Sequence, residues 1–140
     1  MSAVSEDGRT VVRRFIEELW DKRELAVADE IIAPDFTDYD PVSGQKPGLG
    51  GYKEMVGAFL AAFPDLRVKS EDVIAEGDKV VVRWSARGTH SGALMNIPAT
   101  GKQVTLKGVD ILRITGGKIV ERWGEFDALG MLHQLGVIPQ

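Results

Sequence analysis

The feature that most limits the fold of this chain is a change of hydrophobic period near residue 65. Before it, apolar residues recur every three or four positions; after it, they alternate. Val12, Phe15, Ile16 and Leu19 fall at i, i+3, i+4 and i+7, the stripe of an amphipathic helix over about Thr10–Asp21. Val56, Phe59, Leu60 and Phe63 repeat that stripe, and Pro64 stops the helix because it has no N–H to give. Between them, a shorter helix over Leu25–Ile32 ends before Pro34, and the segment DFTDYDP reads as a short strand closed by Pro41. The stretch PVSGQKPGLGG that follows is the longest loop, rich in Gly and Pro.

From Asp65 onward the period is two. LRVKSEDVIAE reads as a strand and EGDK as a turn. In VVVRWSARGTH, Val80, Val82, Trp84 and Ala86 share one face, with Arg83, Ser85 and Arg87 on the other. After the loop SGALMNIPATG, QVTLKGVDILRI and KIVERWGEF form a hairpin about Thr115, Gly116 and Gly117. A last helix covers Ala128 to Leu135.

Helices first and antiparallel strands after is the α+β pattern. The expected architecture is a curved mixed or antiparallel sheet of about four to six strands wrapped on three helices. It forms a cone-shaped single domain over residues 1–140 with an interior pocket. A chain of 140 residues fits one such unit.

Composition removes several functions. The formal charge of −4 gives no basic footprint for nucleic acid. No run approaches the ~20 apolar residues of a membrane span, and the N-terminus does not read as a signal peptide. A soluble, cytoplasmic protein is expected. The absence of cysteine excludes disulfides and thiolate chemistry. With two distant histidines, a transition-metal site has little support, and no HExxH, phosphate loop, dinucleotide fingerprint or GxSxG elbow occurs. Chemistry without a cofactor, or plain binding of a hydrophobic small molecule, is what remains.

Asp110 is the sharpest local anomaly. It interrupts the alternate positions Val104, Leu106, Gly108, Asp110, Leu112 and Ile114 of a long strand. A carboxylate on that face needs a partner or accepts a raised pKa, as general acids and bases do. Alternatively the face opens to water there, or Asp110 sits in a structural ion pair. Its neighbours depend on the hairpin. A two-residue Gly-Gly loop puts Glu121 and Trp123 on its face. A three-residue loop with Gly117 left-handed in a bulge puts Val120, Arg122, Gly124 and Phe126 there. The second is preferred, because it sets Arg122 opposite Asp110.

His90, of the same parity as Trp84, either meets a substrate carbonyl or bonds backbone at the strand end. Asp127 most simply caps the last helix, which is compatible with catalysis at a pocket mouth. Tyr39, flanked by Asp38 and Asp40, offers a phenol and two carboxylates at a strand end, although DYDP before a Gly-rich loop is also a common turn composition. Trp84, Phe15 and Phe59 are expected in the pocket wall.

Three stretches together resemble the SnoaL-like polyketide cyclase or ester cyclase family: DFTDYDPVSGQKPGLGGYKEMV, then AFPDLRV through IPATGKQV, then GVDILRITGGKIVERWGEFDALGMLHQLG. The resemblance implies the cystatin-like cone shared with nuclear-transport-factor-2-like proteins, with a deep pocket between sheet and helices. It implies intramolecular aldol chemistry, with an aspartate on the last strand supported by a histidine on the strand before. Aligned without gaps, those two positions fall on Gly124 and Asp110. The resemblance further implies that many relatives carry histidine where this chain has Tyr39 and Arg122. The resemblance also implies a homodimer through the open sheet face, where Ile111, Arg113, Glu121 and Trp123 would lie.

The site expected on these grounds has Asp110 as base, Arg122 holding its charge and Asp127 beside the mouth, with Tyr39 and His90 polarising a carbonyl. The alternatives are a binding protein of the same fold and an epoxide or lactone hydrolase.

Overall fold

The structure, a computed structural model, describes residues 2–138, with side chains from Gly8 onward. Met1, Pro139 and Gln140 of the expected 1–140 unit lie outside the described residues. Ten elements follow in order: α1 (Ser2–Arg14), a π-helical turn (Phe15–Asp21), α2 (Val27–Ile31), β1 (Ile32–Asp38), α3 (Gly48–Ala62), β2 (Arg67–Glu76), β3 (Lys79–Thr89), β4 (Gln103–Thr115), β5 (Lys118–Phe126) and α4 (Ala128–Leu135). The five strands form one open sheet in the order β1-β5-β4-β3-β2, with β1 parallel to β5 and every other pair antiparallel.

The period-two half of the chain follows the expected strands within a residue or two, whereas the helical half departs further. The first helix starts earlier than Thr10 and widens into a π turn at Phe15, with the Lys22 N–H bonded to the Glu17 carbonyl at 3.0 Å. Such a turn adds one residue per hydrogen-bonded ring and is uncommon. Here it buries Phe15, Ile16 and Leu19 while Trp20 still reaches the interior. The second helix is shorter than Leu25–Ile32, because Ile32 already pairs with Ile119 of β5.

The core lies between the inner sheet face and the helices. Val12, Phe15, Ile16 and Leu19 meet Val56, Phe59 and Phe63 of the α3 region and Val80, Val82, Leu112, Ile114 and Ile119 of the sheet. Burying one such side chain contributes roughly 1.5–3 kcal/mol.

The β4–β5 hairpin decides which residues of β5 face this core. The loop has two residues, Gly116 and Gly117, both at positive φ, and Thr115 pairs with Lys118. Two left-handed residues suit the twist of a hairpin, and glycine adopts them without strain. By itself that loop would turn Glu121 and Trp123 inward. A bulge intervenes: Ile114 pairs with Ile119 but Arg113 pairs with Glu121, leaving Val120 as the extra residue. Ile119, not Val120, therefore faces the core beside the turn. Beyond the bulge, Arg122, Gly124 and Phe126 face inward as expected. Arg122, Gly124 and Phe126 thus take the expected face, whereas Val120 and the three-residue loop differ from expectation.

Candidate functional site

Between the π turn, α3 and the inner faces of β3, β4 and β5 lies a small cavity of about 70 Å³. Phe15, Trp20, Tyr52, Phe59, Trp84 and Phe126 supply aromatic wall, and the charged side chains among its lining residues are Asp110 and Arg122. Trp84 lies flat against β4 because its cross-strand partner is Gly108. A Cβ at Gly108 would stand 2.5 Å from the indole Cζ2.

Asp110 sits on the cavity floor and is almost fully buried. Its direct partner on β5 is Gly124, and Arg122 stands opposite Leu112, which corrects the expectation that Arg122 lies opposite Asp110. The guanidinium reaches diagonally, a distance that long side chains span across a sheet. Its Nε donates to Asp110 Oδ2 at 3.1 Å and its Nη2 to Asp110 Oδ1 at 3.2 Å. Gly124 makes room for this fork, since a Cβ there would lie 2.6 Å from both Arg122 Nη2 and Asp110 Oδ1.

The arginine also serves a second carboxylate. Its Nη1 donates to Asp38 Oδ1 at 2.9 Å and to the Asp40 carbonyl at 3.2 Å. Asp38 is held further by Gln45 Nε2 at 3.0 Å and by its own loop through the Asp40 N–H. Asp40 in turn accepts the Gly124 N–H at 2.8 Å. The cluster thus contains two buried carboxylates and one buried cation.

Burial is the largest influence on Asp110 and raises its pKa, with the negative charge of Asp38 acting in the same direction. The Arg122 charge and hydrogen bonds, and the long 3.5 Å contact from the Trp84 N–H, oppose burial without overcoming it. For Arg122, burial works against the charged form, but the carboxylates of Asp110 and Asp38 outweigh it and the guanidinium stays protonated. Burial also raises the Tyr52 phenol, which therefore remains a donor at ordinary pH.

Several expected site residues stand elsewhere. Tyr39 lies on the outer side of the sheet, half exposed, stacked on Trp123 at 5.0 Å and donating to Glu121 Oε2 at 2.6 Å. The strand end puts it one position beyond the inward Asp38. His90 is buried, but it is outside the cavity wall. Its Nδ1 accepts the Thr100 N–H at 3.2 Å and its ring leans on Phe63, so it fastens the loop after β3. Asp127 is an exposed N-cap, accepting the Gly130 N–H at 2.8 Å, and takes no part in the cavity. Phe15, Phe59 and Trp84 do line it.

Tyr52 and Gln45 are not among the expected site residues, and Asp38 is expected only as one of two carboxylates beside Tyr39, although Tyr52 and Asp38 both leave a signal. Tyr52 precedes Val56, Phe59 and Phe63 at helical spacing and belongs to the same stripe. Asp38 shares its parity with the buried Phe36 of β1. Gln45 lies in an irregular loop and carried no periodic signal. Among the described residues, no group of three or more His, Asp or Glu could hold a metal ion, and no helix is long and apolar enough to cross a membrane.

A family model described as SnoaL-like polyketide cyclase matches residues 10–135. Among solved structures, TsrD from Streptomyces laurentii is 25% identical with a TM-score of 0.86, over 95% of this chain and 97% of that one. A proposed polyketide cyclase from Bacillus cereus is 28% identical with a TM-score of 0.83, over 95% of this chain and 83% of that one. IdmH from Streptomyces antibioticus, also a proposed polyketide cyclase, is 31% identical with a TM-score of 0.79, over 92% and 98%. No curated protein sequence matches the chain.

Proposed function

The chain belongs to the SnoaL-like polyketide cyclase family, and on that premise we propose that it catalyses proton transfer at carbon next to a carbonyl of a hydrophobic small molecule, with Asp110 as the base. The observation that carries this reading is the charge balance of the buried cluster, two carboxylates against one guanidinium. Burial raises the pKa of Asp110, and accepting a proton there also removes negative charge lying near Asp38. A base with a raised pKa is better matched to work near neutral pH.

In this scheme the apolar end of the substrate enters the aromatic cavity. Asp110 removes a proton from the α-carbon, and the electron pair moves into the carbonyl to give an enolate. The Tyr52 hydroxyl, kept protonated by burial, supplies a hydrogen bond to the developing oxyanion. The enolate carbon then attacks a second carbonyl, as an aldol ring closure requires, and Asp110 returns its proton to the new alkoxide. Arg122, itself anchored on Asp38, holds Asp110 in place.

A second reading, binding without turnover, is favoured by the two-point engagement of Asp110 by Arg122. Deuterium exchange separates the two. Acetophenone and short 2-alkanones incubated with the protein in D₂O are expected to gain deuterium beside the carbonyl, and Asp110→Asn is expected to abolish the gain. Ketone binding with exchange no faster than in buffer would leave the binding reading. The same proposal includes a homodimer through the outer sheet face around Trp123, and a monomeric mass at micromolar concentration would count against that part.

A further inference from the structure

The cavity above Asp110 is too small for the substrates of its proposed chemistry. Ordinary ligand sites measure roughly 300–1,000 Å³, and this one measures about 70 Å³. Directly outside it is a second depression of about 250 Å³. The two share Val42, Gln45, Met55 and Phe59, so these side chains form one partition with a chamber on each face. We infer that the outer depression is the second half of one elongated substrate site, and that the ligand is a long, mainly apolar carbonyl compound whose distal end lies there.

Two further observations support this. Leu94 and Met95, from the loop after β3, also line the depression. Met95 and Asn96 both hold positive φ, 50° and 65°, in the tight turn that pairs Leu94 with Ile97. Non-glycine residues in that region carry strain, and such strain collects at ligand-holding segments. The strained turn presents a half-exposed methionine, an adaptable apolar surface, to the depression.

The partition is also wired to the charged floor. Gln45 donates to Asp38 Oδ2 at 3.0 Å while its side-chain oxygen accepts the Val42 N–H at 3.1 Å. A ligand crossing the partition must displace or pass Gln45, which touches the carboxylate that shares Arg122 with Asp110. The outer rim adds Ser43, Lys46 and Glu54, so the distal end of the ligand meets both polar and charged groups.

The inference rests on the reading of the inner cavity as a substrate site, and the test separates the two. The probes are 2-alkanones from 2-butanone to 2-decanone, titrated by tryptophan fluorescence, since Trp20 and Trp84 line the inner chamber. In the wild type, affinity is expected to rise by about fourfold per methylene through the long members. Ala58→Trp, from an exposed position of α3 that lines only the outer depression, is expected to leave the short ketones unchanged and weaken the long ones at least tenfold. Ser43→Trp, in the loop before α3 and also lining only the outer depression, is expected to do the same and guards against a fold defect in the first variant. A plateau at the short ketones in the wild type overturns the inference, as does an equal loss for short and long ketones in both variants. Absence of binding by every ketone overturns it together with the proposed function. Length-dependent binding without deuterium exchange supports it and sinks only the proposed catalysis.

Discussion

Two arginines on neighbouring strands of one sheet each bridge two carboxylates, and the consequences are opposite. On the inner face, Arg122 joins Asp110 and Asp38, with side-chain exposures of 11%, 5% and 4%. On the outer face, Arg113 joins Asp78 and Glu121, with exposures of 32%, 46% and 27%. The stoichiometry is the same. Inside, burial dominates and raises the pKa of Asp110. Outside, the hydrogen bonds from Tyr39 and Arg113 dominate and lower that of Glu121. Water compensates the surplus charge of the outer cluster, whereas the inner one must keep it or take up a proton. Ion-pair geometry alone therefore does not identify a base; the dielectric around it does.

The sharpest way to break this comparison is to remove each cation. Arg122→Ala leaves two buried carboxylates without a counter-charge and is expected to cost about 3–5 kcal/mol in urea unfolding at neutral pH. The loss should shrink as the pH falls and the carboxylates protonate. A cost no larger than that of Arg113→Ala would show that the inner cluster is solvated after all.

Gly124→Ala puts a methyl group 2.6 Å from both halves of the inner pair. Displacing them is expected to cost about 1–3 kcal/mol and to move the Asp110 carboxyl resonance in a ¹³C NMR titration. A substitution without effect on either would mean the pair has slack that the geometry does not reveal.

The pH dependences should run in opposite senses. Asp110 has a folded pKa raised above its unfolded value near ~3.9. Its contribution is thus fully present below that value and lost as pH rises through the folded pKa. Glu121 is lowered, so its contribution is present above ~4.3 and lost as pH falls through the folded value. Stability of the wild type relative to Asp110→Asn should therefore improve on acidification, and relative to Glu121→Gln it should decline. Parallel curves would refute the contrast. Arg113→Ala should have the smallest effect of all, because its pairs are solvated and screened.

The sheet was legible in the sequence because alternation is a local property of the chain. Strands β3 and β4 carry clear period-two patterns of their own, and Ala128–Leu135 carries a cap, a stripe and a terminal glycine. The anomaly at Asp110 was visible for the same reason. Tyr52 could have been read from its stripe and Asp38 from its parity with Phe36, but a polar residue on an apolar face is ambiguous until its partners are known.

The site itself was decided elsewhere. The Gly-Gly dipeptide specifies a tight turn but not the bulge after Ile119, which depends on how β5 packs between β4 and β1. That one-residue shift puts Arg122 inside and Glu121 outside, exchanging which charge is buried. Tyr39 and Asp38 show the same rule at the end of β1, where adjacent residues take opposite faces. The sequence by itself determined the order of elements and the presence of a carboxylate on an otherwise apolar strand face, since both follow from local periodicity. Only the tertiary structure decided its partners and the direction of its pKa, because these depend on the long-range pairing of β1 with β5 and on how much water that pairing excludes.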